Sequence, residues 1–415
     1  MMKIYRTVIM ISLLFMGKIV GQTVNTGDLS LAPNTQLSTL FSFDNKSSGD
    51  VLIDGNFMAY ANFNNEGLVT YSNASNGKTF FIGTQQQLIS GTEIAHFQNV
   101  VFENTSGLVP FQLNTIIEIG KNAEFKKGIV DADTYNGKMI FGQNAFHTDA
   151  SNLSFVDGKV ENVGNLDFEF PVGDQFYFRP SYHEKGANVN NAYTTQYFLQ
   201  NAGNQYPYTS KDDTIISIDE AEYWHLTQDQ GSEKIVLSLT LDTNTTPASF
   251  FEEKPDTQLG IVRWDDTAKK WVNEGGVTTD LVTGANYSKL ITTQVGGYGL
   301  FTIAMVKKAD IPDSDLIIYN AISPNGDGLN DSFYIKGINQ YPENRVEIYN
   351  RWGVKVFDAA SYNESDVMFK GYSDGRGTVK RGEGLPAGTY FYVLKYTKGT
   401  KPIEKTGYLY ISNDK

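Results

Sequence analysis

Lys78-Thr79-Phe80-Phe81-Ile82 is answered by Val100-Val101-Phe102, and Thr115-Ile116-Ile117-Glu118-Ile119 by Lys138-Met139-Ile140-Phe141. Earlier runs, Val51-Leu52-Ile53 and Phe57-Met58-Ala59-Tyr60, and a later one, Gly128-Ile129-Val130, are of the same kind. Each is short, apolar and rich in β-branched or aromatic residues, and Gly, Asn and Asp separate them. Paired runs return after about 20 to 25 residues, the length of chain that completes one coil of a parallel β-solenoid. In such a coil inward apolar side chains stack on the next turn while Asn and Gly take the corners. The spacing therefore predicts a short solenoid of about six coils over residues 22–172. An antiparallel sandwich with strands every 8 to 12 residues is the competing arrangement.

Composition agrees with an all-β chain. Of 415 residues 24 are Tyr, 26 Phe and 39 Gly, and long runs of helix formers are missing. That length predicts two or three domains. Lys3 and Arg6 precede the apolar stretch Val8 to Met16, with Gly17 and Gly21-Gln22 beyond it. The stretch is too short to span a bilayer, so residues 1–21 read as a signal peptide cleaved before Gln22. No cysteine occurs, which excludes disulfides, thiol catalysis and a lipid-modified cysteine.

The net charge of −13 is unevenly placed: residues 313–415 hold 13 basic and 13 acidic residues, so the whole excess lies upstream. An acidic body disfavours nucleic acid or anionic lipid as partner, because phosphate binding needs clustered Lys and Arg. Its plain consequence is solubility.

Residues 173–308 alternate again. Ile235 to Leu241 reads as a strand, Gly260 to Trp264 and Lys270 to Val272 as a hairpin turning at Asp265-Asp266-Thr267, and Gly299 to Ala304 as a final strand. A β-sandwich is expected there. Ser154 to Val160, Phe168-Glu169-Phe170-Pro171-Val172-Gly173-Asp174 and Tyr177-Phe178-Arg179-Pro180 mark the junction. This stretch resembles one common in secreted Bacteroidota surface proteins, where a β-helix-like region ends and a sandwich begins. Residues 309–315, with Pro312 and mixed charges, read as a linker.

The last block, residues 316–415, carries Ser323-Pro324-Asn325-Gly326-Asp327-Gly328-Leu329-Asn330-Asp331, then Asn350-Arg351-Trp352-Gly353, then Leu385-Pro386-Ala387-Gly388-Thr389-Tyr390 and Lys405-Thr406-Gly407-Tyr408-Leu409. Around seven short strands in about 100 residues predict an Ig-like sandwich. Together these motifs resemble the gliding-motility-associated C-terminal domain, the type B sorting signal of the type IX secretion system of Bacteroidota. The resemblance implies export to the cell surface or medium, the type IX translocon and a PorP/SprF-type outer-membrane protein as partners, and Ser323 to Asp331, Asn350 to Gly353, Gly388, Thr389 and Tyr390 as sorting-motif residues. Phe369 stands where the family usually has Trp, and Asn413-Asp414-Lys415 is less basic than the usual terminus.

Chemistry is sparse. Asn325, Asp327, Asn330 and Asp331 present oxygens at short spacing, so calcium is one candidate ligand. No Glu stands at the twelfth position, and an Asx-rich turn is the favoured reading. Trp352 is expected to plug the sandwich, while Arg351 pairs with a carboxylate or stays exposed. His96, His147, His183 and His225 form no metal-binding spacing. No nucleophile elbow or phosphate loop appears. Asp131, Asp133, Asp149 and Asp157 are the candidates for paired carboxylates, should the solenoid be a polysaccharide-degrading enzyme. Tyr177, Tyr182, Tyr193, Tyr197, Tyr206 and Tyr208 are the candidates for a sugar-stacking face. The expectation is a non-enzymatic adhesive or scaffolding passenger, with a carbohydrate-binding module and a β-helix enzyme as alternatives.

Overall fold

A computed structural model describes residues 21–73, 76–252, 254, 256–280, 287–308, 316–326, 330–374, 384–398 and 401–412. The expected signal peptide through residue 20, the linker 309–315, Asp327, Gly328 and the terminal Asn413-Asp414-Lys415 lie outside these residues. Among the described residues no helix is long and apolar enough to cross a membrane.

Residues 22–162 form the solenoid, of about six turns, with three parallel faces. On the first face Gln22–Asn25 pairs with Ser42–Asn45, which pairs with Phe63–Asn65, then Gln87–Gly91 and Phe111–Asn114. The second face starts with Asp28–Leu31 on Asp50–Ile53, the third with Gln36–Thr39 on Asn56–Ala59. Ala95–Asn104 and Ile116–Lys127 each run through two faces, bending at register shifts between Phe97 and Asn99 and again after Phe102. The repeat is uneven because some corners are longer: Asn45 meets Asn65 20 residues on, whereas Asn64 meets Ser90 26 residues on. This unevenness blurs the period without breaking the register.

Strict alternation explains the stacking. In Asn56–Ala59 and Lys78–Gly83 Phe57, Ala59, Thr79 and Phe81 point inward and are buried, and their neighbours stay half-exposed. Rings then stack coil on coil: Phe43 on Phe63 at 5.7 Å, Phe81 on Phe102 at 5.7 Å, Phe102 on Phe125 at 5.5 Å. Burying one Phe contributes roughly 1.5–3 kcal/mol, so this column outweighs the surface ion pairs, worth about 0–1 kcal/mol each. At one corner Asn25 donates to Asn45 and Asn45 to Asn65, each at 2.8 Å, which satisfies polar groups in an otherwise apolar column.

The solenoid ends where the pairing changes sense. Lys159–Val163 pairs in parallel with Lys138–Phe141 on one side, and antiparallel with Ala192–Phe198 on the other. From there two antiparallel sheets follow. One orders Phe168–Phe170, Ser181–His183, Val236–Leu241, Lys289–Gln294 and Val277–Asp280. The other continues from Ala192–Phe198 through Tyr223–Gln230 and Gly299–Lys307 to Thr257–Asp265 and Lys270–Gly275. Leu237, Leu239 and Ile291 of the first sheet meet Tyr197, Trp224 and Ile303 of the second in one core that is continuous with the solenoid's. The expected hairpin is present, its turn held by Asp265 Oδ1, which accepts the N–H groups of Thr267 (2.9 Å) and Ala268 (2.8 Å).

The last block has its own core, including Phe333, Ile348, Tyr362, Phe369, Leu394 and Leu409. Its main sheet orders Ala321–Ile322, Lys401–Ile411, Gly388–Lys398, Asn344–Tyr349 and Lys355–Ala360. The second layer expected of an Ig-like sandwich is, among the described residues, the ribbon of Ile317–Ile318 with Ile335–Lys336. Ser332 to Tyr334 run irregularly and bury Phe333 against Tyr392 at 5.0 Å.

Candidate functional site

In the C-terminal block the motifs that stood out in the sequence are turn-formers. The chain folds back between Ser323 and Asn330, where the Ser323 N–H donates to the Asn330 carbonyl at 2.7 Å. The Asp331 carboxylate accepts the Gly326 N–H at 2.7 Å, with Gly326 at φ +82° and Asn330 at +55°. The carboxylate thus reaches back five residues along the chain to serve the backbone of the same loop. Of the four calcium candidates, Asn325, Asn330 and Asp331 are brought into this one loop, while Asp327 lies outside the described residues. Pro324 packs on Gly371, where a Cβ would stand 2.7 Å from the ring.

Asn350 organises the second motif. Its Oδ1 accepts the N–H groups of Trp352 and Val354 at 2.9 Å each, and its carbonyl accepts that of Gly353 at 2.9 Å. Gly353 takes φ +67°, which closes the hairpin between Asn344–Tyr349 and Lys355–Ala360. Trp352 does not plug the core: 54% of it is exposed, and the Arg351 guanidinium lies 4.9 Å over its ring. Its place at the tip of a tight turn points the side chain away from both layers. In the third motif Gly388 takes φ +150° where the long strand begins, followed by Thr389; Tyr390 turns inward, and its hydroxyl donates to the Pro386 carbonyl at 3.0 Å.

These turns and strands fall within residues 316–411, which match the family model of the CHU_C Type IX secretion signal domain. This block is a type IX sorting domain. No curated protein and no solved structure matches the chain. The sorting domain implies handling by the type IX secretion machinery, and secretion or attachment at the cell surface.

Upstream of the sorting domain, the structure gathers three of the four candidate carboxylates. Asp131 and Asp157 are register partners on the first solenoid face, and Asp157 lies beside Gly173, next to Asp174. Burial, then the charges of Asp174, Asp131 and Asp133, push the Asp157 carboxyl up to about 7. Burial also raises Asp174. Each neighbour already has a structural partner. Asp131 accepts the Thr134 N–H at 2.9 Å, Asp133 the Gln196 amide at 2.6 Å, and Asp174 the Leu199 N–H at 2.8 Å. Asp149, a corner residue at φ +65°, is not among the charges that act on Asp157. Among the described residues no three His, Cys, Asp or Glu side chains converge to hold a metal ion.

The tyrosine-rich stretch is mostly core. Tyr193 and Tyr197 are buried, Tyr182 shares its hydroxyl with that of Tyr287, and Tyr206 and Tyr208 pack on Trp264 and Trp271 at 5.3 and 5.8 Å. Tyr177 is half-buried in a two-residue strand. The histidines are scattered. His96 pairs with Glu118 at 3.0 Å, whereas His147 and His183 sit among core rings. Burial holds both below the usual imidazole range, His183 at about 3.

One constellation stands out only in three dimensions. Arg179 is buried and its Nη2 reaches Glu222 Oε1 at 3.1 Å. The guanidinium also donates to the Thr240 carbonyl and hydroxyl and to the Thr245 hydroxyl, and stacks on Trp224 at 5.3 Å and Tyr197 at 5.7 Å. Tyr197 and Thr246 hydroxyls complete the Glu222 carboxylate at 2.5 Å each. Arg179 belongs to the Tyr177-Phe178-Arg179-Pro180 stretch, so the sequence flagged the junction but not its partner 43 residues away. Each nitrogen of the guanidinium and each oxygen of the carboxylate has a protein partner, which makes it a clasp between strands and no binding site.

Proposed function

We propose that residues 22–308 are a non-enzymatic adhesive or scaffolding passenger that the sorting domain delivers through the type IX system, with a PorP/SprF-type outer-membrane protein as its docking partner. One observation carries the reading: the stacked core of the solenoid runs without interruption into the paired sheets. A continuous close-packed column resists bending, which suits a part that presents its far end to a neighbour. The carboxylates at Asp131, Asp133 and Asp174 are each engaged by an amide donor, which supports a structural role over catalysis. The burial of Tyr193 and Tyr197 favours adhesion through strand and loop surfaces over a sugar-stacking face.

Deleting residues 316–415 is expected to retain the passenger in the periplasm, read by surface protease accessibility of the full-length and truncated proteins. Surface delivery of the truncated form would remove the sorting step from this reading. For the passenger, beads coated with residues 22–308 are expected to bind cells or one another and to release no reducing ends from polysaccharide. Turnover of a polysaccharide that is lost in Asp157→Asn would replace adhesion with catalysis.

A further inference from the structure

The two ends of the solenoid are finished differently. At the far end Ala192–Phe198 seals Lys159–Val163 by antiparallel pairing. At the near end, among the described residues, Gln22–Asn25, Asp28–Leu31 and Gln36–Thr39 pair only with the coil above them, through Ser42–Asn45, Asp50–Ile53 and Asn56–Ala59. The bonding phase can be read from the backbone. Lys46 N–H donates to the Asn25 carbonyl, Asp50 and Asp54 to Gly27 and Leu31, and Asn56 and Tyr60 to Thr35 and Thr39. Odd-numbered residues thus bond inward along the stack. By the alternation of a parallel ladder, the N–H and C=O groups of Gln22, Val24, Asp28, Ser30, Gln36 and Ser38 are directed at the open end.

Unpaired strand edges template further pairing, and proteins blunt them with Lys, Pro, bulges or a covering segment. Among the described residues none of those devices stands on these three strands, and Asp28 is the one charged residue between Gln22 and Phe41. Apolar side chains gather there: Val24 is 49% exposed, Leu40 72% and Phe41 54%. Leu29 and Leu37 are half-buried against the core.

We propose that this end docks on the same end of a second copy. All three edge strands are four residues long. A twofold axis across the stack, through one face, sets that strand antiparallel to its own copy and each of the other two against its counterpart. Six donors and six acceptors from each copy then find partners, and near-neutrality of the coil removes the repulsion that an acidic chain otherwise meets. The far end carries antiparallel strands on two of its three faces, which blocks head-to-tail growth, so association closes at two. The contact is one coil wide, below the ~800 Å² per partner of a standard interface, so the affinity is weak. This inference rests on the adhesive reading and names its partner: the open end is the one remote from the sorting domain in chain order, and weak contacts gain strength when many are displayed together.

The test is sedimentation velocity of the chain from Gln22 to Lys415 over roughly 1–300 μM, the range a small interface requires. A reversible monomer–dimer equilibrium is expected. The double variant Ser30→Pro/Ser38→Pro, which removes two outward N–H donors and no inward one, is expected to weaken it at least ~10-fold with an unchanged melting temperature. A monomer throughout, or a dimer equally tight in the variant, overturns the proposal, as does an intact-mass measurement on exported protein showing residues before Gln22 retained on a monomeric chain. Beads that bind cells while the chain stays monomeric leave adhesion standing and remove only the self-pairing.

Discussion

Arg179→Met should be the most costly single substitution in the passenger that leaves its hydrophobic volume nearly intact. The Arg179 and Glu222 side chains are 1% and 0% exposed, so neither charge has water to fall back on. Removing the guanidinium strands the Glu222 carboxylate with two hydroxyl donors, Tyr197 and Thr246, and no counter-charge. Asp219 adds no second charge at neutral pH, because burial and next the Glu222 charge push its carboxyl up to about 8. Breaking one side of a buried pair costs about 3–5 kcal/mol, and at ~2–4 °C per kcal/mol for a block of this size the melting temperature falls by roughly 10 °C. Arg179→Met/Glu222→Gln should recover about half, since the amide removes the stranded charge, its oxygen accepts from one hydroxyl and its N–H2 donates to the other. Urea unfolding followed by tryptophan fluorescence is a direct reporter, because Trp224 stacks on the guanidinium. A loss under about 1 kcal/mol, or a double variant no more stable than the single one, would refute the view that the pair is a desolvated clasp.

Other outcomes follow from buried ionisable groups and from the turn. Asp157 has a folded-state carboxyl near 7 against an ordinary 3.8. Its protonated form is the one the fold prefers, so stability is full below about pH 4 and lost as pH rises toward 7. Asp157→Asn should therefore leave the melting temperature unchanged at pH 4 and raise it at pH 8, by up to about 3 kcal/mol equivalent. His183 has the opposite sign: burial holds it at about 3 against 6.5, so stability is full above pH 6.5 and declines as pH falls toward 3. Both its ring nitrogens lack partners, so His183→Phe should stabilise by about 1–2 kcal/mol and flatten the acid limb of a Tm-against-pH curve. Asn350→Ala should destabilise the sorting domain by about 1–2 kcal/mol, because its Oδ1 holds two turn N–H groups, while Trp352→Ala should leave its melting unchanged.

What could be read in the sequence was what repeats locally. The solenoid showed because inward residues such as Phe57, Ala59 and Phe81 alternate with outward ones within each run, and because paired runs return within one coil's length of chain even though the corners vary. The hairpin at Asp265 and the turn at Asn350 showed because Gly, Asn and Asp have few other uses at such positions. Trp352 misled because a tryptophan in a β domain is usually core, and nothing local distinguishes a turn tip from a plug. The Arg179 clasp was illegible for a different reason: its partners Glu222, Thr240 and Thr245 lie on other strands, and only tertiary pairing brings them in. The grouping of Asp131, Asp133 and Asp157 with Asp174, but without Asp149, likewise depends on corner lengths that the coil spacing does not determine.

The two cores bear on how function divides along the chain. The passenger's core from Leu31 to Met305 and the sorting domain's from Leu316 to Ile411 have no side chain in common. The hydrogen bonds that shape the Asn350 and Asp331 turns all lie within residues 316–411, although the Glu184 carboxylate of the passenger packs directly on Gly353. Whatever the passenger does must arise from its own surface. On that surface, among the described residues, one end of the solenoid meets a strand of opposite sense and the other end pairs with no further strand. An edge strand without lysine or proline is a cost in solubility unless something pairs with it.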